Sequence, residues 1–136
     1  MDKIMHIAQK YNLYVIEDCA QSHGASIIGK KIGTFGNVGC FSFYPTKPLG
    51  AFGDAGAIVT DNKELKDKIC MLRNYGSKVR YYNEIQGINS RMDEIQAAVL
   101  SVGLKYLEQE NQIRRDIGRR YLKNTTLQVF ECKNAV

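Results

Sequence analysis

The chain has 136 residues, room for one domain or part of one at roughly 100–200 residues per domain, so two complete domains are excluded. Nineteen Lys and Arg against fourteen Asp and Glu give a net charge of +5, and 44% hydrophobic with 24% charged residues suits a chain that buries a core, which excludes a disordered, collagen-like or fibrous protein. No apolar run reaches the roughly 18–20 residues that span a bilayer, the opening residues lack a signal peptide's apolar stretch, and Cys19, Cys40, Cys70 and Cys132 form no C-x-x-C pair, so reduced thiols in a cytoplasmic protein are expected, with no metal site.

In chain order, Ile4, Ile7, Ala8 and Tyr11 recur at helical spacing and predict an amphipathic helix over 2–11. Leu13-Tyr14-Val15-Ile16-Glu17 is a short apolar run ending at Asp18, the pattern of a buried parallel strand. Eight of the twelve glycines then fall between Gly24 and Gly56, around two more apolar runs, Val38 to Phe43 and Ala57 to Thr60, which predicts strands joined by tight turns. Asp61 as N-cap with Glu64 three residues on predicts a helix over about 62–74. Residues 75–90 have no period and read as a loop. Ser90 and Asp93 repeat the start signal, and Met92, Ile95, Val99, Val102, Tyr106, Ile113, Ile117 and Tyr121 predict a long helix from near Arg91 to about 123, weakened at Gly103 and interrupted at Gly118. Leu127 to Phe130 opens a final strand. Helices mixed with short apolar strands indicate an α/β layered fold.

The positive charge all lies in residues 63–136, since residues 1–62 sum to zero. Lys63-Glu64-Leu65-Lys66-Asp67-Lys68 interleaves the signs at helical spacing, so a solvated helix face is expected rather than a nucleic-acid surface. Gly33-x-x-Gly36-x-x-Gly39 has the wrong spacing for a dinucleotide fingerprint and precedes a strand instead of opening a helix.

Two sites carry candidate chemistry. Both prolines of the chain flank Thr46-Lys47, and proline fixes its own φ while pushing the residue before it to extended geometry, so Lys47 is held by its neighbours. A solubilising surface lysine gains nothing from that restraint; one that presents its ε-amine to a fixed point does. Asp18 stands at the carboxyl end of the first strand, where α/β sheets bind ligands. It serves there either to cap the next turn or to hold a proton on a heteroaromatic nitrogen, with Gln21 alongside if the turn is helical. Lysine with aspartate is the pair that a pyridoxal phosphate (PLP) enzyme needs, one to bind the cofactor aldehyde and one to keep the pyridine ring protonated. His23, beside a glycine turn, reads as a structural hydrogen-bonder.

The strings Val15-Ile16-Glu17-Asp18-Cys19-Ala20-Gln21-Ser22-His23-Gly24-Ala25, Gly36-Asn37-Val38-Gly39-Cys40-Phe41-Ser42-Phe43, Thr46-Lys47 and Gly87-Ile88-Asn89-Ser90-Arg91-Met92-Asp93-Glu94-Ile95-Gln96-Ala97-Ala98 together resemble the DegT/DnrJ/StrS family of PLP-dependent sugar aminotransferases. The resemblance implies part of the large cofactor-binding domain of a fold type I transferase, a mixed sheet flanked by helices. Residues of about 1–90 would supply cofactor-binding strands and loops, and about 91–123 a helix leading toward a C-terminal domain. It implies that Lys47 is the Schiff-base lysine and general acid/base, that Asp18 pairs with the pyridinium nitrogen, that Gln21 packs on the ring and that Ser42 donates to the phosphate. Asn89 would reach the phosphate of a neighbouring subunit in a homodimer. Arg91, with Lys78 and Arg80 as further candidates, would meet the substrate's diphosphate. The implied reaction is ping-pong transamination of a dTDP-linked keto-deoxysugar, a precursor of 3-amino-3,6-dideoxyhexoses, with glutamate as donor. Lys47 argues against the branch that carries histidine there and dehydrates sugars. Family members are longer at both ends, so the chain reads as a fragment, and a non-catalytic fragment or assembly module is the alternative.

Overall fold

The computed structural model describes residues 1–124, and the strand expected at Leu127 to Phe130 lies outside the described residues. The elements are α1 (Asp2–Lys10), β1 (Ile16–Asp18), β2 (Ser26–Ile27), β3 (Lys30–Lys31), β4 (Val38–Ser42), β5 (Gly56–Val59), α2 (Lys63–Leu72), β6 (Ser77–Val79), β7 (Tyr82–Asn83), α3 (Glu94–Gly103) and α4 (Leu107–Asn124). β4 is central in a three-stranded mixed sheet, parallel to β1 and antiparallel to β5. Two short antiparallel hairpins, β2–β3 and β6–β7, are separate from it. Among the described residues no helix is long and apolar enough to cross a membrane.

α1 forms where its apolar spacing predicts, with Asp2 in its first turn and Lys10 in its last, each opposite in sign to the helix-end charge it meets. Only Ala8 of its stripe is buried; Ile4, Ile7 and Tyr11 are exposed among the described residues. β1 differs from expectation in both bounds and burial. It starts at Ile16, because the peptide of Val15 is bracketed by Asn37, whose N–H donates to the Val15 carbonyl (2.9 Å) while its Oδ1 accepts from the Val15 N–H (2.7 Å). Ile16 is 70% exposed and Glu17 only 7%, since the loop before β4 covers the face that carries Glu17.

α2 starts one residue later than its sequence signal. Asn62, not Asp61, is the N-cap, its Oδ1 accepting from the Leu65 N–H at 3.0 Å. The stretch read as a plain loop contains the β6–β7 hairpin and a bridge between Asn74 and Asn89. What conceals the pairing is a crossing point: Gly76, at φ 77°, lies directly against the Ile85 carbonyl, where no side chain would fit.

The single long helix expected from Arg91 is two helices. α3 begins after Asp93, whose side chain makes no capping bond, and Leu104–Tyr106 form a turn closed by Lys105 N–H to Val102 O and Tyr106 N–H to Gly103 O. Gly118 does not interrupt α4. The turn lets Leu100 of α3 and Leu107 of α4 meet in one core with Leu49 and Ala51, against which Phe43, Ala55 and Met92 pack. The outer face of α4 is solvated and charged, with Arg115 on Glu108 (2.7 Å), Arg119 on Asp116 (3.0 Å) and Arg114 near Glu110 (3.7 Å). Exposed pairs of this kind contribute about 0–1 kcal/mol each.

Candidate functional site

β1 and β4 run side by side with Asp18 in register with Cys40, and Ser42 two residues further on. Successive side chains alternate faces along a strand, and paired residues share one. Asp18, Cys40 and Ser42 therefore line one face at the carboxyl end of the parallel pair, while Glu17, Gly39 and Phe41 line the other. Opposite Ser42 on β5 is Gly56, exposed and without a side chain, which leaves the space beside the Ser42 hydroxyl open. The Asp18 carboxylate is exposed, and its Oδ1 accepts from the Ala20 N–H at 3.0 Å, so it caps the following turn while still facing solvent. Gln21 sits exposed on that turn, which closes by single bonds such as Ser22 N–H to Cys19 O instead of winding into a helix.

Beyond Ser42 the chain makes a closed loop. The Ala51 N–H donates to the Phe43 carbonyl at 2.8 Å across its neck, and the Lys47 N–H donates to Tyr44 O at 2.9 Å at its tip. Leu49 and Ala51 anchor the returning limb in the core, and the Phe52 N–H is taken by Gln96 Oε1 of α3 at 2.8 Å. Lys47 is half-buried at the tip of a loop fixed at both ends.

His23 is buried, and the expectation that it is a hydrogen-bonder needs correction. Its ring lies between Phe41 (centroids 5.7 Å apart) and Phe43 (5.6 Å), and neither ring nitrogen has a hydrogen-bond partner among the described residues. Burial holds its pKa below the ordinary value of 6.5, and the Lys47 ammonium adds to that shift. The ring is thus a neutral packing group behind the lysine loop. From α4, Asn111 Nδ2 donates to the His23 carbonyl at 2.8 Å, so α3 braces the lysine loop and α4 braces the turn that follows Asp18.

Asn89 and Arg91 belong to a second group, around the end of α2. Arg91 Nε donates to Asn89 Oδ1 (2.9 Å), its Nη1 reaches Asn74 Oδ1 (3.4 Å), and its guanidinium lies 5.6 Å from the Tyr75 ring centroid. Lys78 and Arg80 are exposed on the β6–β7 hairpin, with Arg80 over the Tyr81 ring at 4.9 Å. Sequence reasoning missed Glu17, whose carboxylate accepts three backbone N–H bonds, and Asn111. Glu17 could have been suspected as an acid inside an apolar strand run.

The sequence profile of the DegT/DnrJ/EryC1/StrS aminotransferase family matches residues 1–132. The chain belongs to this family. Among DegT/DnrJ/EryC1/StrS members it is 55% identical over 124 residues to the dTDP-3-amino-3,6-dideoxy-alpha-D-galactopyranose transaminase of Aneurinibacillus thermoaerophilus, covering 91% of this chain and 34% of that one. It is 48% identical over 122 residues to the dTDP-3-amino-3,4,6-trideoxy-alpha-D-glucose transaminase of Streptomyces venezuelae, covering 90% and 32%. Of solved family structures, that of S. venezuelae DesV in complex with a ketimine intermediate superposes with a TM-score of 0.88 at 47% identity, over 90% of this chain and 33% of that one. A DegT DnrJ EryC1 StrS aminotransferase from Brucella abortus superposes at 0.86 and 45%, again over 90% and 33%. The chain thus spans about a third of the length of the relatives it matches. The mixed sheet and its flanking helices are those of the family's aminotransferase fold.

Proposed function

We propose that this chain carries the lysine-bearing part of a PLP-dependent aminotransferase that aminates a nucleotide-linked ketosugar, a dTDP-keto-deoxysugar by the names of two of its relatives, with an amino acid such as glutamate as donor. The observation that carries the reading is the shared face of Asp18 and Ser42 beside a fixed Lys47 loop, with the glycine at 56 leaving the space beside Ser42 open. That donor set fits the cofactor: an acid for a ring nitrogen, a hydroxyl for a phosphate and an amine for an aldehyde.

When bound, PLP supplies an aldehyde and an electron-withdrawing ring that stabilises a carbanion. The chain's own residues do the rest. The Asp18 carboxylate holds a proton at the ring nitrogen, the Ser42 hydroxyl donates to the phosphate, and Gln21 packs on the ring. The Lys47 ε-amine would hold the cofactor at its aldehyde and, when free, would serve as the base and acid that moves the proton transamination requires. Arg91, with Lys78 and Arg80, offers cations for the diphosphate. Asn89 acts on a neighbouring subunit's phosphate in a homodimer, and the protein works in the cytoplasm.

The test is a two-part titration. PLP added to the protein develops a visible absorbance band that Asp18→Asn and Ser42→Ala each weaken, and glutamate then discharges it with release of 2-oxoglutarate. Absence of PLP binding by folded protein overturns the reading. Binding without 2-oxoglutarate release favours a non-catalytic or assembly role for this part of the enzyme.

A further inference from the structure

We infer that Glu17 is the positioning residue for Asp18, locking the register of β1 so that the Asp18 carboxylate faces the cofactor; this rests on the function proposed above. Glu17 is 7% exposed, and its carboxylate accepts from the N–H groups of Gly33 (2.9 Å, on Oε2), Phe35 (2.7 Å) and Gly36 (2.8 Å, both on Oε1). No Lys or Arg pairs with it among the described residues. The negative charge is met wholly by backbone donors, and hydrogen bonds to an ionised acceptor are roughly twice as strong as neutral ones.

Stability alone does not explain a buried carboxylate, because well-packed apolar groups of similar volume usually serve as well or better. Geometry does. β1 is three residues long, and β4 is its sole partner in the sheet among the described residues. Side chains alternate with a period of two, so a slip of one residue would turn Asp18 to the core face and bring its neighbour round to Ser42. Three donors converging on the Glu17 carboxylate hold that side chain on the core face, and Asp18, next in the strand, must then take the other. The same loop grips β1 a second time: the Asn37 peptide and side chain bracket Val15, and Gly36 approaches so closely that a Cβ there would lie 2.6 Å from Val15 O. The 33–37 segment is therefore a clamp on β1 at residues 15 and 17, directly behind the residue that meets the ligand. The glycines at 33, 36 and 39, which fit no nucleotide motif, are accounted for by this clamp, since Gly39 also lies under Gly33, where its Cβ would be 2.5 Å from the Gly33 backbone.

The experiment is a pair of double-mutant cycles read by PLP affinity, with folding checked by circular dichroism. Glu17→Gln keeps the shape but turns an NH2 toward one of the three donors. It is expected to weaken PLP binding about tenfold, the scale of one lost charge-assisted bond. Adding Asp18→Asn to Glu17→Gln should cost little more, whereas the loss from Ser42→Ala should add in full. Wild-type affinity in Glu17→Gln, or losses at 17 and 18 that simply add, would overturn the inference. If Glu17→Gln does not fold, amide hydrogen exchange on the unmodified protein decides: PLP should slow exchange at Phe35 and Gly36, and should not do so in Asp18→Asn. Unchanged exchange at those amides overturns the inference. An Asp18→Asn variant that binds PLP normally refutes the assignment of Asp18 itself, a failure distinct from that of the clamp.

Discussion

Truncating Leu49 to alanine tests whether the lysine loop is held from beneath by α3 and α4. Leu49 is 7% exposed and packs with Ala51, Leu100 and Leu107. Removing three buried carbons forfeits about 2.4 kcal/mol at about 0.8 kcal/mol per methylene. The cavity left between two helices and a loop adds about 1 kcal/mol at about 24 cal/mol per Å³ of space that does not collapse. The expected loss is therefore about 3–4 kcal/mol, read as a fall in the urea midpoint by circular dichroism. PLP affinity, measured well below the new midpoint, should fall too, because the loop that presents Lys47 loses its anchor. Gly103 supplies an internal control, since a Cβ there would sit 3.1 Å from Leu49 Cδ1. Gly103→Ala should crowd Leu49 in the wild type but partly fill the hole in Leu49→Ala, so the two changes should couple favourably by about 1 kcal/mol. A loss below about 1 kcal/mol, or a Gly103→Ala effect equal in both backgrounds, would refute the bracing argument.

Ile28, at φ 49° and 95% exposed at the tip of the β2–β3 hairpin, is a β-branched residue in a left-handed conformation that costs about 1–2 kcal/mol. Ile28→Asn should stabilise the protein by about 1 kcal/mol in thermal melts, and an unchanged or lower melting temperature contradicts this. His23 has a folded pKa below 6.5, so below pH 6.5 the unfolded chain binds more protons there and stability falls with pH until the folded pKa is passed. His23→Phe should flatten this part of the stability profile; an unaltered slope shows that another group sets it. Asn62→Ala should cost about 1 kcal/mol and Asp61→Ala less than about 0.5 kcal/mol in urea titrations, the reverse order implying that the cap lies at Asp61.

What could be read from the sequence followed from periodicity and from restraint. α1 and α2 repeat their apolar residues every three or four positions, and the lysine loop carries both prolines of the chain, so each announces itself locally. The β6–β7 hairpin does not, because its pairing depends on Gly76 passing under Ile85, a contact made across the loop. The break between α3 and α4 escapes notice for a related reason: the apolar stripe continues in phase past Gly103, and what bends the chain is the demand that Leu100 and Leu107 reach one core. At the candidate site, chemistry and position single out Asp18 and Lys47 in the sequence. Glu17 shows in the sequence only as an acid inside an apolar run, and its role depends on three N–H groups brought to it from residues 33–36.

The most direct measurement on the central claim is borohydride reduction of the protein with PLP, followed by peptide mass spectrometry. Hydride addition to the carbon–nitrogen double bond between cofactor and lysine makes that link permanent. The account predicts a pyridoxyl group on the ε-nitrogen of Lys47 and its loss in Lys47→Ala. A pyridoxyl group on another lysine, in protein that binds PLP, would contradict it.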